Sequence, residues 1–133
     1  MKELTIVTDN KIGILAKIAQ LLADANINIE NIAAHGTEVQ AIITLHVNKV
    51  KEAKKILKEK GFEVSESESL FIALPNKPGT LAEITRRLSE AHINLVSTHI
   101  INKKNNLTII GLSTSNPGKA RKILADVLYE EGA

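Results

Sequence analysis

The 133-residue sequence predicts an α+β fold of two tandem modules. Each is a β-α-β-β-α-β unit with an antiparallel sheet and both helices on one face. Three observations predict it: an internal repeat, apolar stripes at helical spacing, and short segments that alternate apolar with polar residues. The repeat is the strongest of these. Thr8 to Asn28 aligned with Leu74 to Asn94 gives ten identities in 21 positions. Roughly one or two would arise by chance at about 7% usage of a common residue. Beyond a polar turn, Asn102-Lys103-Lys104-Asn105-Asn106, the offset grows from 66 to 67, and Ala53, Lys55, Ile56 and Leu57 match Ala120, Lys122, Ile123 and Leu124. The modules are expected at residues 1–67 and 68–133, the second truncated after its second helix.

Each element follows from local pattern. Glu3 to Val7 and Leu70 to Leu74 are short β-branched or apolar runs, hence strands. Leu15, Ile18 and Leu22, matched by Leu81, Ile84 and Leu88, recur at three- and four-residue spacing and predict a helix of about four turns. Asn26 and His92 end that pattern before strands at Ile27 to His35 and Ile93 to Ile101. A third strand, Val39 to Val47, sets Val39, Ala41, Ile43, Leu45 and Val47 on one face and Gln40, Thr44 and His46 on the other, with Ile42 the exception. Leu107 to Leu112 is its counterpart. Second helices are expected at Lys49 to Lys60 and from Pro117 to about Glu130, with Pro117 in a first turn. Gly61 ends the earlier one, and Phe62 to Ser65 forms a fourth strand.

In the second module the fourth strand is missing or degenerate, because Tyr129-Glu130-Glu131-Gly132-Ala133 lacks alternation. Leu70 to Leu74 would then lie on an open edge, and an exposed edge invites another strand. The expected cover is a strand of the other module or of another chain, for instance Phe62 to Glu66; a weak strand formed by the tail is the alternative.

Composition narrows the function. Hydrophobic residues are 44% and charged residues 24%, as in ordinary globular domains. Aromatic residues are only 2%, so the core is aliphatic and ring-stacking sites for nucleic-acid bases are not expected. There is no cysteine, which removes disulfides, thiolate nucleophiles and cysteine metal sites. Net charge is +2, with 9 basic against 9 acidic residues up to Ser67 and 8 against 6 after it, so no basic footprint for nucleic acid exists. The lysines at 49, 51, 54, 55, 58 and 60 are interrupted by Glu52 and Glu59 and read as a solvated helix face. No apolar run approaches the ~18 residues of a membrane helix, and no signal-peptide pattern opens the sequence; a cytoplasmic protein is expected.

Enzyme chemistry has little to build on. Ser and Thr are the only nucleophiles, with no Gly-x-Ser-x-Gly elbow, so no catalytic residue is expected. His35, His46, His92 and His99 are scattered, with Glu30 and Glu38 the nearby carboxylates in the first copy. Neither a metal site nor a cofactor is expected from them.

The repeated loop between first strand and first helix is the best candidate site. It reads Asp9-Asn10-Lys11-Ile12-Gly13-Ile14 and Pro75-Asn76-Lys77-Pro78-Gly79-Thr80. A helix start offers unpaired N–H groups and partial positive charge to a carboxylate. Glycine permits close approach of a ligand, and asparagine both donates and accepts. Asn28 and Asn94 supply a second amide from the following strand. The candidate ligand residues are therefore Asn10, Gly13, Ile14 and Asn28 in one copy and Asn76, Gly79, Thr80 and Asn94 in the other. A second account stays open: the loop asparagines as helix caps, the glycines as packing positions, and the strand asparagines as exposed strand-start residues.

Asn76-Lys77-Pro78-Gly79-Thr80-Leu81 through His92-Ile93-Asn94-Leu95 resembles the ACT domain signature: an Asn-x-Pro-Gly-x-Leu loop, an amphipathic helix, then an Ile-Asn-hydrophobic strand. Asn10 to Leu15 and Asn26 to Ile29 are similar, with Ile12 where proline is usual. The resemblance covers nearly the whole chain as two ferredoxin-like modules. It implies a non-catalytic regulatory protein that binds an amino acid between paired modules, assembles as a homo-oligomer (a dimer or higher), and controls an amino-acid metabolic enzyme. ACT modules serve phosphoglycerate dehydrogenase, acetolactate synthase and aspartokinase in this way. By position, Asn76 and Asn94 match the ligand-contacting asparagines of the serine-binding type and Gly79 its loop glycine; Asn10, Gly13 and Asn28 match in the first copy. The histidine that type carries two residues before the loop asparagine is Thr8 or Leu74 here, a departure that argues against serine. A module that pairs with proteins but has lost its ligand is the alternative.

Overall fold

The computed structural model describes residues 2–129. The chain divides into two compact units, Met1–Ser67 and Glu68–Ala133. Among the described residues no helix is long and apolar enough to cross a membrane.

In the first unit the elements are β1 (Lys2–Asp9), α1 (Ile14–Asp24), β2 (Ile29–Gly36), β3 (Gln40–Val47), α2 (Val50–Glu59) and the start of β4 (Glu63–Pro75). The strand order is β2-β3-β1-β4. β3 pairs antiparallel with both neighbours: Leu4 faces Leu45 and Ile6 faces Ile43 on one side, and Ala33 faces Thr44 on the other. The alternation read in β3 is present from Ala41 on, since Ala41, Ile43, Leu45 and Val47 are buried, but Val39 precedes the strand and is exposed. Leu4, Ile6, Ile43 and Leu45 form one core with Ile18 and Leu22 of α1 and Ala53 and Leu57 of α2. One core shared by both helices places them on the same sheet face. Burying a side chain such as Leu or Ile contributes about 1.5–3 kcal/mol, so these aliphatic residues hold the unit without aromatic help.

Three helices end alike. After α1, Asn26 takes a positive φ of 57°; its N–H donates to Ala23 O and the Ile27 N–H to Leu22 O, both at 2.9 Å. After α2, Gly61 (φ 89°) and Phe62 bond to Lys58 and Leu57 in the same way, both at 3.0 Å. This Schellman closure satisfies carbonyls that the helix leaves unpaired and drops Ile27 and Phe62 into the core beside the helix residues they cap.

The second unit comprises the rest of β4, α3 (Thr80–Glu90), β5 (Leu95–Lys104), β6 (Leu107–Thr114) and α4 (Pro117–Ile123), in strand order β4-β6-β5. Leu70, Ile72, Leu74, Ile84, Leu88, Ile110 and Leu112 are its core. His92 (φ 59°) and Ile93 close α3 as Asn26 and Ile27 close α1. Asn105 and Asn106, at φ 52° and 64°, turn the β5–β6 hairpin where the repeat gains its extra residue.

Four expectations are corrected. The first helix has 11 residues, three turns rather than four. Phe62 to Ser65 and Leu70 to Leu74 are not separate strands but parts of the continuous 13-residue β4. Glu-Ser-Glu-Ser carries no glycine, proline or asparagine to reverse the chain, and an extended backbone runs through it. The helix expected to reach Glu130 stops at Ile123, and the residues from 130 on lie outside the described ones. The edge is covered by the tail and not by Phe62 to Glu66: Ala73 N–H donates to Val127 O at 2.9 Å, Tyr129 N–H to Phe71 O at 2.8 Å, and Leu128 lies opposite Ile72. Among the described residues, the degenerate fourth strand is thus a single bridge.

Candidate functional site

Each repeated loop delivers a glycine to the first position of a helix. Gly13 (φ 84°) caps α1 and Gly79 (φ 90°) caps α3, neither helix having a side-chain cap. The asparagines are therefore not the caps. A Cβ on either glycine would meet nothing within 4 Å, so close packing is not their role either. What they supply is a left-handed backbone that side chains resist. The result is two helix starts whose first N–H groups no side chain caps.

The loops are braced differently. Asn10 Nδ2 donates to Thr37 O at 2.7 Å and Asn10 N–H to Val39 O at 3.1 Å, fastening the first loop to the β2–β3 turn. Gly36 allows this, since a Cβ there would lie 3.0 Å from Asn10 Nδ2. In the second unit Asn76 N–H donates to Asn106 O at 2.8 Å, but the exposed Asn76 side chain has no hydrogen bond among the described residues. There the loop is held by Thr80, whose hydroxyl donates to Pro75 O (3.0 Å) and Lys77 O (3.1 Å). Ile14, its counterpart, has no hydroxyl and lines a cleft.

That cleft, of about 370 Å³, is bordered by Lys11, Ile12, Gly13, Ile14, Lys17 and Phe62 among others. Lys17 Nζ sits 5.6 Å from the centre of the Phe62 ring. Asn28 lines a different cleft of about 370 Å³ with Asn26, Asn48 and Lys49, and Asn94 one of about 420 Å³ with Thr85, Ser89 and His92. Both strand asparagines are exposed, with their backbones clipped to the segment after the third strand. Asn28 N–H donates to Asn48 Oδ1 (2.9 Å), and Asn94 N–H to Ser115 Oγ (3.0 Å). The fold does not bring Asn28 to Gly13, nor Asn94 to Gly79. Each pair is separated by an 11-residue helix, about 16 Å at 1.5 Å per residue.

Two arrangements escaped the sequence reading. Glu3 and His46 continue the β1–β3 register opposite each other and are both 1% exposed, with ligand-capable atoms within 4.8 Å. The carboxylate brought to His46 is therefore Glu3, not Glu30 or Glu38, and His46 is not an outward polar residue. Asn31 extends the row on β2. The second unit has serines at the equivalent places, with Ser113 opposite both Ser69 and Ser97. The second arrangement joins Arg87 of α3 to Asp126 through two bonds of 2.8 and 3.2 Å and to Glu83 at 3.2 Å. These bonds raise the Arg87 pKa and hold the Asp126 carboxyl below its ordinary value. The i,i+4 spacing of Glu83 and Arg87 was a visible signal; the distant Asp126 had none.

Two modules, each with strands covered on one face by helices that share their core and each opening its first helix on a positive-φ glycine, define the class: a tandem pair of ferredoxin-like modules. The chain belongs to the ACT domain pair family, whose model matches residues 1–130. It is similar to the crystal structure of protein BT0572 from Bacteroides thetaiotaomicron, with 27% identity, 96% of this chain and 90% of that one covered, and a TM-score of 0.80. It shares its fold with the ligand-free regulatory subunit of aspartate kinase from Thermus thermophilus (17% identity, 93% and 88% covered, TM-score 0.67). The same holds for the aspartokinase alpha and beta subunits (21% identity, 94% and 90% covered, TM-score 0.62). No curated protein matches the chain.

Proposed function

We propose that this chain is a non-catalytic regulatory protein that binds a small amino acid and passes the signal to a metabolic enzyme or other partner in the cytoplasm. The observation that carries the reading is the pair of glycine-opened helix starts at Gly13 and Gly79, left without side-chain caps. Such a start suits a carboxylate. The ligand amino group then needs an acceptor, which Asn28 or Asn94 supplies. Since one module holds loop and asparagine about 16 Å apart, a single amino acid meets both only when the strand start of one module lies against the loop of another. A homo-oligomer supplies that arrangement, and ligand-dependent pairing gives regulation its two states.

The second loop is the better binder in this reading, because the Asn76 side-chain amide has no hydrogen bond among the described residues while the Asn10 donor is held by Thr37. The same bond supports a second reading for the first module, in which it keeps its pairing surface and no ligand. Affinity for so small a ligand falls at about 1 mM to 1 μM, or roughly −4 to −8 kcal/mol. Calorimetry of the full chain with the twenty amino acids tests the proposal. Heat and a thermal shift with at least one support it; none with any of them leaves a protein-pairing module.

A further inference from the structure

Among the described residues, the second unit closes its sheet edge with few bonds. β4 is paired with β6 from Ser69 to Pro75, but on its other side the described residues Val127–Tyr129 contribute two backbone hydrogen bonds and one bridge. Val127 and Leu128 are only partly buried against the core. The chain also enters this segment through a poor helix ending. α2 closes on Gly61 in a Schellman turn, whereas after α4 the Ala125 N–H lies 3.5 Å from Lys122 O and no glycine occupies the turn. What fixes the segment is Arg87, which grips Asp126, the residue just before Val127, with two bonds.

We infer that Asp126–Tyr129 is a detachable edge strand clasped by Arg87, and that its release opens the Phe71–Ala73 edge to the same segment of a second copy of this chain. The occupant follows from what is seated there. The edge accepts Val127–Tyr129 in one register, with Leu128 opposite Ile72, and a second copy offers that register, the same apolar pair and the same Asp126 for Arg87. Reciprocal exchange therefore restores the edge bonds, the Leu128–Ile72 pairing and the Arg87–Asp126 bonds, while the Val127 N–H to Leu124 O bond (3.0 Å), which spans the hinge, opens. The short turn at Leu124–Ala125 is the hinge, and the alternative to exchange is an exposed backbone edge. Leu124, at the hinge, is buried in the core, and Val127 and Leu128 leave it on release, but α4 and the core of Leu70, Ile72, Leu74, Ile84, Leu88, Ile110 and Leu112 lie outside the segment and keep the rest of the unit folded.

Two measurements on the full chain test this. In native-state hydrogen exchange, the Ala73 and Tyr129 amides should exchange at least about tenfold faster than Ile110 and Leu112 of β6, and Arg87→Ala should speed the first pair while leaving the second unchanged. All four moving together would show that the segment opens only with the whole unit and would overturn the inference. The chain has no cysteine, so Ile72→Cys with Leu128→Cys introduces one reportable pair. Oxidation at low concentration should give a cross-linked monomer. Oxidation after incubation at high concentration should give a covalent dimer, absent from single-cysteine controls and increased by Arg87→Ala. A monomer at every concentration, or a dimer indifferent to Arg87, would contradict it.

Discussion

Asn10 Nδ2 donates to the carbonyl oxygen of Thr37 at 2.7 Å, which turns the first loop's asparagine into part of the β2–β3 turn. Asn76, its repeat partner, is held through its backbone N–H to Asn106 O, and its side chain has no hydrogen bond among the described residues. The same residue in two copies therefore has two roles, and substitutions separate them. Asn10→Ala should lower stability by about 1 kcal/mol, the net worth of a hydrogen bond, as read by denaturant unfolding, with ligand affinity little changed. Asn76→Ala should leave stability within about 0.5 kcal/mol and weaken amino-acid binding by about 1–3 kcal/mol if its bond to ligand is buried. Unchanged affinity in Asn76→Ala would remove that residue from the site.

The positive-φ positions are open to direct test. Nothing lies within 4 Å of a Cβ placed on Gly13 or Gly79, so alanine there meets no clash. Its cost is the left-handed backbone alone, about 1–2 kcal/mol. His92 holds the same region with a side chain, at φ 59°. His92→Gly should therefore stabilise the second unit by about 0.5–1 kcal/mol, measurable by the denaturation midpoint. A loss of stability there would mean that the imidazole makes a contact worth more than the strain.

The sheet row of Glu3 and His46 has a built-in reference in Ser69 and Ser113. His46→Ser alone removes the cross-strand neighbour of the buried Glu3 and should cost about 1–3 kcal/mol. Glu3→Ser with His46→Ser reproduces the second unit's pair and should cost less than the sum of the two single changes, by about 1 kcal/mol. Strict additivity in urea unfolding would show that the pair is not coupled.

The Arg87–Asp126 clasp sets a pH dependence of known sign. The folded Asp126 pKa is depressed, chiefly by the hydrogen bonds from Arg87. Its contribution to stability is therefore present above the unfolded value, about 3.9, and is lost as pH falls through the lower folded value. Arg87, raised by the same bonds, stays charged throughout. Carboxyl NMR titration should place Asp126 below ordinary aspartates, and Arg87→Ala should return it toward them.

Much of this architecture is written in local pattern. Ile18 and Leu22 lie one turn apart, as do Ile84 and Leu88, and all four are buried. Ala41, Ile43 and Leu45 alternate and are buried. What local pattern does not carry is partnership. The Glu-Ser-Glu-Ser stretch looks like a gap because its apolar alternation lapses, yet Glu66 pairs with Lys54 at 3.5 Å and the strand continues. Val127 and Leu128 extend the apolar stripe of α4, and only the edge they cover reveals them as strand. Asn10 with Thr37 and Glu3 with His46 are each joined by strand pairing, which fixes no spacing in sequence. The candidate ligand residues were legible as a repeated set; their division between the two ends of a helix was not.

The most direct test of the central claim is an amide NMR titration of the full chain with each amino acid in turn. The account predicts that at least one shifts Gly79, Thr80 and Asn94 together, saturating at about 1 μM to 1 mM, and that Asn76→Ala moves that saturation to about 5- to 150-fold higher concentration. If none of the twenty moves those amides, a duplicated amino-acid site is not what these helix starts provide.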